Sequence, residues 1–405
     1  HIPSNDFSFY DHVLDTSAMV GAVPDIYGWT GGPVPLDTYF AMARGAQGEA
    51  EHTDCGHGHH HHAIDVPAAE MTKWFDTNYH YLVPEVSAGQ TFALSSTKAL
   101  DEFKEAKAHG VHTRPVLLGP VTFLKLAKSK DETFNPLSLL EDLIPVYAKL
   151  LNQLELAGAT WVQIDEPCLV LDLDDADRAA LARAYWLLSR TAPGIKLMLA
   201  TYFGGLGDNL DTALALPVAG LHVDLIRAPD QLEDVLTRAP ATMVLSLGVI
   251  DGRNVWRADL EKILNRLSPL LKDEREIVLA PSCSLLHTPI DLEQEKGLDA
   301  GVRTWLAFSI QKIEELVVLA GALNNGWASV AEPLAASAAA AQARRTSPKI
   351  HDAAVSARLA GVDEAMARRA SDFAARRKVQ IERLNLQAFP TTTIGSFPQT
   401  EGVRK

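Results

Sequence analysis

The chain is 405 residues long, 47% apolar and 22% charged, a globular balance that suits one large barrel with insertions or two ordinary domains. A net charge of −14 with no local run of lysine and arginine excludes general nucleic-acid binding and leaves any polyanionic ligand to a few placed cations. Cys55, Cys168 and Cys283 are too few and scattered for a disulfide framework, which predicts a reducing cytoplasm, and the nearest approach to a membrane span, Trp305–Leu323, is interrupted by Gln311, Lys312, Glu314 and Glu315.

Along the chain, the first marked segment is Cys55-Gly56-His57-Gly58-His59-His60-His61-His62. Histidines and a thiol at this density bind transition metals, but an exposed glycine-containing loop without supporting hydrogen bonds holds them loosely. Cys55, His57, His59, His60, His61 and His62 are thus a weak metal site or simply a variable loop. Next comes Glu70–Tyr81, in which Trp74, Phe75, Tyr79 and Tyr81 surround Lys73 in a chain only 7% aromatic. Aromatic faces sandwich flat heterocycles, and a lysine among them supplies a cation for carboxylates at the ligand's far end. The plainer alternative is a turn anchored by its rings, with a solvated lysine.

Short apolar runs then alternate with helical patterns. Strands are predicted over Tyr81–Glu85, Pro115–Gly119, Trp161–Asp165, Lys196–Thr201, Leu221–Leu225, Met243–Val249 and Ile277–Ala280. Helices are predicted over Leu100–His109, ending on Gly110, and Leu137–Leu156, whose leucines recur at helical spacing. Strand and helix repeated in this way mean a parallel sheet. Polar or reactive residues fall where the strands end: Asp165 and Glu166, Thr201 and Tyr202, Asp224, Asp251, Ser282 and Cys283. Barrel enzymes keep their chemistry at those ends, whereas an open doubly wound sheet concentrates it at one switch point, so the predicted fold class is α/β, a (β/α)8 TIM barrel. With the strands above, it is one stave short. Asp165 and Glu166 are adjacent on a strand and point to opposite faces unless the strand ends between them, and a structural role is expected for both.

From Gly301 to about Asn385 the sequence reads as helix with an alanine-rich middle, Ala331–Ala343, and Pro348–Arg383 suits a solvent-bridging helical linker. Beyond it, Ile394-Gly395-Ser396 follows a β-branched run at a sharp turn, where glycine admits a ligand close to the backbone and serine offers an N–H and a hydroxyl.

The run Glu70–Glu85 resembles a signature of the amino-terminal half of cobalamin-independent methionine synthase. Arg114–Thr122, Trp161–Pro167, Gly252–Leu260 and Ser282–His287 stand in the family's order, and the similarity covers nearly the whole chain. The resemblance implies methyl transfer from a 5-methyltetrahydrofolate polyglutamate, 5-methyltetrahydropteroyltriglutamate, to homocysteine, the last step of methionine biosynthesis, with zinc and without cobalamin. It also implies an amino-terminal barrel over residues 1–300 whose first strand lies upstream of His1, a helical linker over 301–388, and the first strand of a second, catalytic barrel over 389–405. That second barrel of the same polypeptide would run on past Lys405. In this scheme Lys73 contacts the folate, with Trp74 and Tyr79 packed in support, while Ile394, Gly395 and Ser396 hold the α-amino and carboxylate groups of homocysteine.

In the family's second half, zinc is held by a histidine, two cysteines and a glutamate at strand ends, and a further histidine donates a proton. The corresponding positions here carry Thr201 for the histidine, Phe203 for one cysteine, Asp224 for the glutamate and Cys283 unchanged, with Asp251 for the proton donor. Threonine and phenylalanine cannot replace imidazole and thiolate, so this chain is expected to hold no catalytic residue and no zinc. The competing expectation is a catalytically inactive fragment that binds folate tails, or a transition metal through its histidine-rich loop.

Overall fold

The structure, a computed structural model, describes residues 2–47, 65–269, 275–391 and 402. The segment Cys55–His62 and the turn Ile394-Gly395-Ser396 lie outside the described residues. The chain divides into two compact units, His1–Gln342 and Ala343–Lys405.

The first unit opens with helices α1 (His12–Val20) and α2 (Leu36–Arg44), then the short strands β1 (Met71–Lys73) and β2 (His80–Leu82). Six further strands follow: β3 (Val116–Leu118), β4 (Trp161–Asp165), β5 (Lys196–Ala200), β6 (Gly220–Asp224), β7 (Val244–Ile250) and β8 (Ile277–Pro281). Around them run α3 (Lys98–Ala108), α4 (Pro120–Leu126), α5 (Leu140–Leu156), α6 (Asp175–Thr191), α7 (Leu210–Ala215), α8 (Gln231–Arg238), α9 (Leu260–Leu267), α10 (Ala300–Thr304) and α11 (Ser309–Asn325). α12 (Ala331–Thr346) contains the division between the units.

β3 to β8 pair in parallel, each with the next, with no reversal of order. A doubly wound sheet reverses at its switch point, so the continuous order is that of a (β/α) barrel, and the fold is α/β of this kind. Helices cover one face and the barrel interior the other, which is why β7 is buried at all 7 positions and reads as a nearly unbroken apolar run. α5 presents Leu143, Tyr147, Leu150 and Leu154 as one buried stripe at helical spacing. α3 stops where the glycine predicts, with Gly110 at φ 80 and the Val111 N–H returning to the Ala106 carbonyl at 3.0 Å. Ahead of α1, the chain runs beside β3: the Arg114 N–H donates to the Ile2 carbonyl at 2.9 Å, and the Asn5 amide exchanges two bonds with the Val116 backbone at 2.7 and 2.9 Å.

One predicted barrel strand, Tyr81–Glu85, is not a stave of this sheet. His80–Leu82 instead pairs antiparallel with Met71–Lys73, and the Val83 N–H continues to the Glu70 carbonyl at 2.8 Å. Closing so short a loop costs less chain entropy than joining a distant strand, and Pro84 has no N–H to give a central one. Its carbonyl and the Val86 N–H bond to the Lys128 backbone, both at 2.9 Å. The buried Asp11 ties this hairpin to α1. One carboxylate oxygen caps the helix by accepting from the Val13 and Leu14 N–H groups at 2.7 and 3.1 Å, and the other accepts the Leu82 N–H at 3.1 Å.

In the second unit lie α13 (Ala353–Ala360), α14 (Glu364–Ala367) and α15 (Phe373–Leu384). Asp352, Asp363 and Asp372 begin them, each accepting first-turn N–H groups, and none of the three helices buries a residue.

Candidate functional site

A cavity of about 680 Å³ runs along the strands to their carboxyl ends, and Arg114, Gln163, Asp165, Tyr202 and His222 are among its polar lining. Gln163 and Asp165 stand two apart on β4 and so share a face. The Gln163 amide donates to Asp165 Oδ1 at 2.7 Å and the Tyr202 hydroxyl to Oδ2 at 3.0 Å. Burial nevertheless pushes the Asp165 carboxyl up to about 6, against those bonds and the nearby Arg114 guanidinium. His222 is fixed between the Ser246 hydroxyl at Nδ1, 2.9 Å, and the Ser282 carbonyl at Nε2, 3.3 Å. A carbonyl only accepts, so Nε2 carries the proton, and burial lowers the imidazole to about 4 and keeps it neutral.

Glu166 lies one residue past the end of β4 and turns away from that cavity. It is fully buried, and its carboxylate accepts from the Val121 N–H at 3.2 Å, the Thr122 N–H at 2.7 Å and the Thr122 hydroxyl at 2.5 Å. Its carboxyl rises to about 7 because burial outweighs those bonds. The group closes the start of α4 and fills the space over Gly119, where an added Cβ would stand 2.1 Å from the Glu166 carboxyl carbon. Glu166 therefore takes the structural role expected of it, while Asp165 faces the cavity.

The aromatic segment forms a hairpin over the barrel mouth. Its backbone closes on itself through the Trp74 N–H to the Tyr79 carbonyl at 2.8 Å and the Thr77 hydroxyl to the Trp74 carbonyl at 2.7 Å. Trp74 is 2% exposed and packs edge-on against His12 and Tyr81, with ring centroids 4.4 and 5.8 Å away. Phe75 meets Phe203 at 5.8 Å, and both residues hold positive φ, 52° and 76°, a left-handed conformation costly for aromatic side chains. At the tip, Asp76 pairs with Arg227 from the β6 end and with Arg253 from the β7 end, the latter at 2.7 Å. Lys73 lies exposed at the end of β1, and Trp74, one residue past that end, is buried.

The positions that resemblance aligns with a zinc set do not fit the ion. The Thr201 hydroxyl donates to the His222 carbonyl at 2.8 Å, and Phe203 offers no donor atom beyond its backbone. Asp224 is fully buried with both oxygens engaged: Oδ2 accepts the Phe203 N–H at 3.0 Å, and Oδ1 accepts the Ile226 and Arg227 N–H groups at 2.9 Å each. Burial pushes the Cys283 thiol up to about 12, and it is the only residue of the set that keeps the family's donor. Asp251 accepts the Arg253 N–H at 2.8 Å and the Asn254 amide at 2.5 Å. Among the described residues no cluster of histidine, cysteine, aspartate and glutamate has a metal-binding arrangement.

The structure thus brings the Lys73 hairpin together with Phe203, Asp224 and Asp251 at one mouth. Arg114, His12 and His287 also line the cavity, and the sequence reading singles out neither them nor the Asp76–Arg227–Arg253 junction as candidates. His12 lies one residue after an N-cap aspartate, the signal that places it at the start of α1, but nothing local shows that its ring stacks 5.5 Å from Tyr79.

The sequence matches the family described as "Cobalamin-independent synthase, N-terminal domain" over residues 1–275. The chain is 64% identical over 408 residues to the 5-methyltetrahydropteroyltriglutamate–homocysteine methyltransferase of Nitrobacter winogradskyi, covering 100% of this chain and 53% of that protein. It is also 64% identical over 409 residues to the protein of that name from Caulobacter vibrioides, with the same 100% and 53% coverage. The Acidiphilium cryptum protein of that name is 53% identical, covering 100% of this chain and 51% of its own length. The chain belongs to the cobalamin-independent methionine synthase family, of which it carries the amino-terminal domain. It spans about half the length of the curated relatives it matches.

Proposed function

We propose that this chain is the folate-contacting half of an enzyme that moves a methyl group from 5-methyltetrahydropteroyltriglutamate to homocysteine, giving methionine. The observation that carries this reading is 64% identity along the whole chain to methyltransferases named for those two substrates. In this reaction the homocysteine sulfur attacks the N5 methyl group, and the folate nitrogen leaves once protonated. Lys73 contributes binding: its exposed ammonium at the barrel mouth meets the donor's polyanionic tail, while Trp74, buried beneath it, fixes the strand. Ile394, Gly395 and Ser396 contact homocysteine. Zinc, which lowers the pKa of the substrate thiol, belongs in this reading to the second barrel of the same polypeptide. Residues 1–300 serve as the first barrel, 301–388 as the linker and 389–405 as the start of the second barrel. The enzyme works in the cytoplasm, in keeping with the absence, among the described residues, of a helix long and apolar enough to cross a membrane.

The test is methyl transfer by the full-length polypeptide and by this chain alone, with homocysteine, zinc and the triglutamate donor. Methionine is expected from the former and none above background from the latter. In the full-length protein Lys73→Ala should weaken apparent donor affinity by about 1.5 to 3 kcal/mol and leave homocysteine binding intact. Sustained turnover by the isolated chain, or an unchanged donor KM in Lys73→Ala, would overturn the respective parts of this assignment.

A further inference from the structure

Three successive strand ends deliver side chains to one hairpin tip. Phe203 follows β5, Arg227 follows β6 and Arg253 follows β7. Asp76 Oδ1 accepts from Arg253 Nη1 at 2.7 Å, its carbonyl accepts from Arg253 Nη2 at 3.0 Å, and Oδ2 accepts from Arg227 Nη2. Both arginines are themselves anchored through their backbones, Arg227 to Asp224 and Arg253 to Asp251, at 2.9 and 2.8 Å. The Arg253 guanidinium also lies 5.1 Å from the centre of the Phe203 ring.

Fold stability does not account for this convergence. The Asp76 side chain is 51% exposed and those of Arg227 and Arg253 are 47% and 21% exposed, and ion pairs in such surroundings add little once side-chain entropy is paid. Orientation does account for it. Lys73 sits three residues before Asp76, on a strand of only 3 residues, and a lysine side chain is flexible enough that its ammonium is useful only if the backbone beneath it is fixed. The Arg253 grip on both the carboxylate and the carbonyl of Asp76 fixes that backbone from the tip, as Trp74 does from below.

We propose that Asp76 is a positioning residue for the methyl donor: gripped by Arg227 and Arg253, it holds the hairpin against the barrel mouth so that Lys73 meets the polyglutamate tail. The inference rests on the assignment of Lys73 to that tail. It also sets Arg227 and Arg253 as the hairpin's anchors rather than as ligands of the tail.

The experiment compares wild type, Lys73→Ala, Asp76→Asn, Asp76→Glu and the Lys73→Ala/Asp76→Asn pair in the full-length polypeptide, with methyltetrahydropteroyl mono- and triglutamate as donors. Asp76→Asn should raise the triglutamate KM roughly three- to tenfold, with a smaller change for the monoglutamate and with kcat and melting temperature retained. Asp76→Glu should recover most of the loss, and the double variant should be no weaker than Lys73→Ala alone. If Lys73→Ala raises KM but Asp76→Asn leaves it unchanged, the positioning role is wrong while the Lys73 contact stands. A lower KM in Asp76→Asn would mean that the freed arginines bind the tail themselves, and a fully additive double variant would mean that Asp76 acts independently of Lys73; either overturns the proposal. An unchanged KM in Lys73→Ala removes the premise and the folate assignment with it.

Discussion

Glu166 and Asp76 each join segments far apart in the chain, one in a sealed interior and the other at a half-exposed tip. Glu166, fully buried, accepts from backbone and hydroxyl groups of Val121 and Thr122, whereas the half-exposed Asp76 accepts mainly from two guanidinium groups. Burial decides what each carboxylate is for. Removing the first strands buried donors and damages the fold; removing the second leaves the fold and loosens a ligand-facing loop. Glu166 follows β4 and faces the first turn of α4, while Asp76 lies at the tip of the β1–β2 hairpin and meets the ends of β6 and β7, so the stabilising and the positioning groups are carried by different elements.

The largest expected effect on this contrast comes from Glu166→Ala. It leaves the Val121 N–H, the Thr122 N–H and the Thr122 hydroxyl without their carboxylate and opens a void, which should cost on the order of 3 to 5 kcal/mol in denaturant unfolding. A loss under about 1 kcal/mol would place Glu166 with the solvent-tolerant groups and erase the contrast.

Next in size is a pH effect. The folded Glu166 carboxyl is raised to about 7, so between the ordinary glutamate range and that value the folded state holds a proton the unfolded chain has released. Its contribution is therefore fully present at low pH and is lost as pH rises toward 7. Glu166→Gln, which does not titrate, should flatten the fall in stability across that window, measured as melting temperature against pH. Parallel wild-type and variant curves would show that the bonds to Val121 and Thr122 keep the group ionised instead.

The smallest effect is Asp76→Asn on stability, expected within about 1 kcal/mol because the Asp76 and Arg227 side chains are both about half exposed. A loss comparable to that of Glu166→Ala would make the tip junction a part of the core architecture rather than a guide for Lys73.

The fold was legible where local pattern and final environment agree. β4 spans Trp161–Asp165 as read, and β3 and β5 to β8 fall within a residue or two of their apolar runs, because strands covered on both faces are mostly apolar. Tyr81–Glu85 has the same composition and was misread, since what separates a barrel stave from a hairpin arm is the partner, and Thr72 and Lys73 carry no apolar signal that would name them as one. Strand alternation left the directions of Asp165 and Glu166 open if the strand ended between them, and it does: β4 stops at Asp165, and Glu166 is turned away by its bonds to Val121 and Thr122. The site was legible only in pieces. Lys73 stood out among its rings, but Asp76 meets Arg227 and Arg253 across 151 and 177 residues of chain, and no local pattern encodes a contact at that separation. Arg114 likewise reads as the start of an apolar run, and only the pairing of β3 with β4 brings it near Asp165.

Gly119 has a consequence for anyone redesigning this barrel. Its backbone torsions, φ −68° and ψ 145°, are open to every amino acid, so a survey of torsions alone would mark the position as free to vary. The obstacle is the Glu166 carboxyl carbon, 2.1 Å from where the first side-chain carbon would go. The two positions behave as a lock with a single key: even alanine at 119 demands a shorter residue at 166, and a library that varies one while holding the other fixed would score both as intolerant, although a paired exchange could succeed.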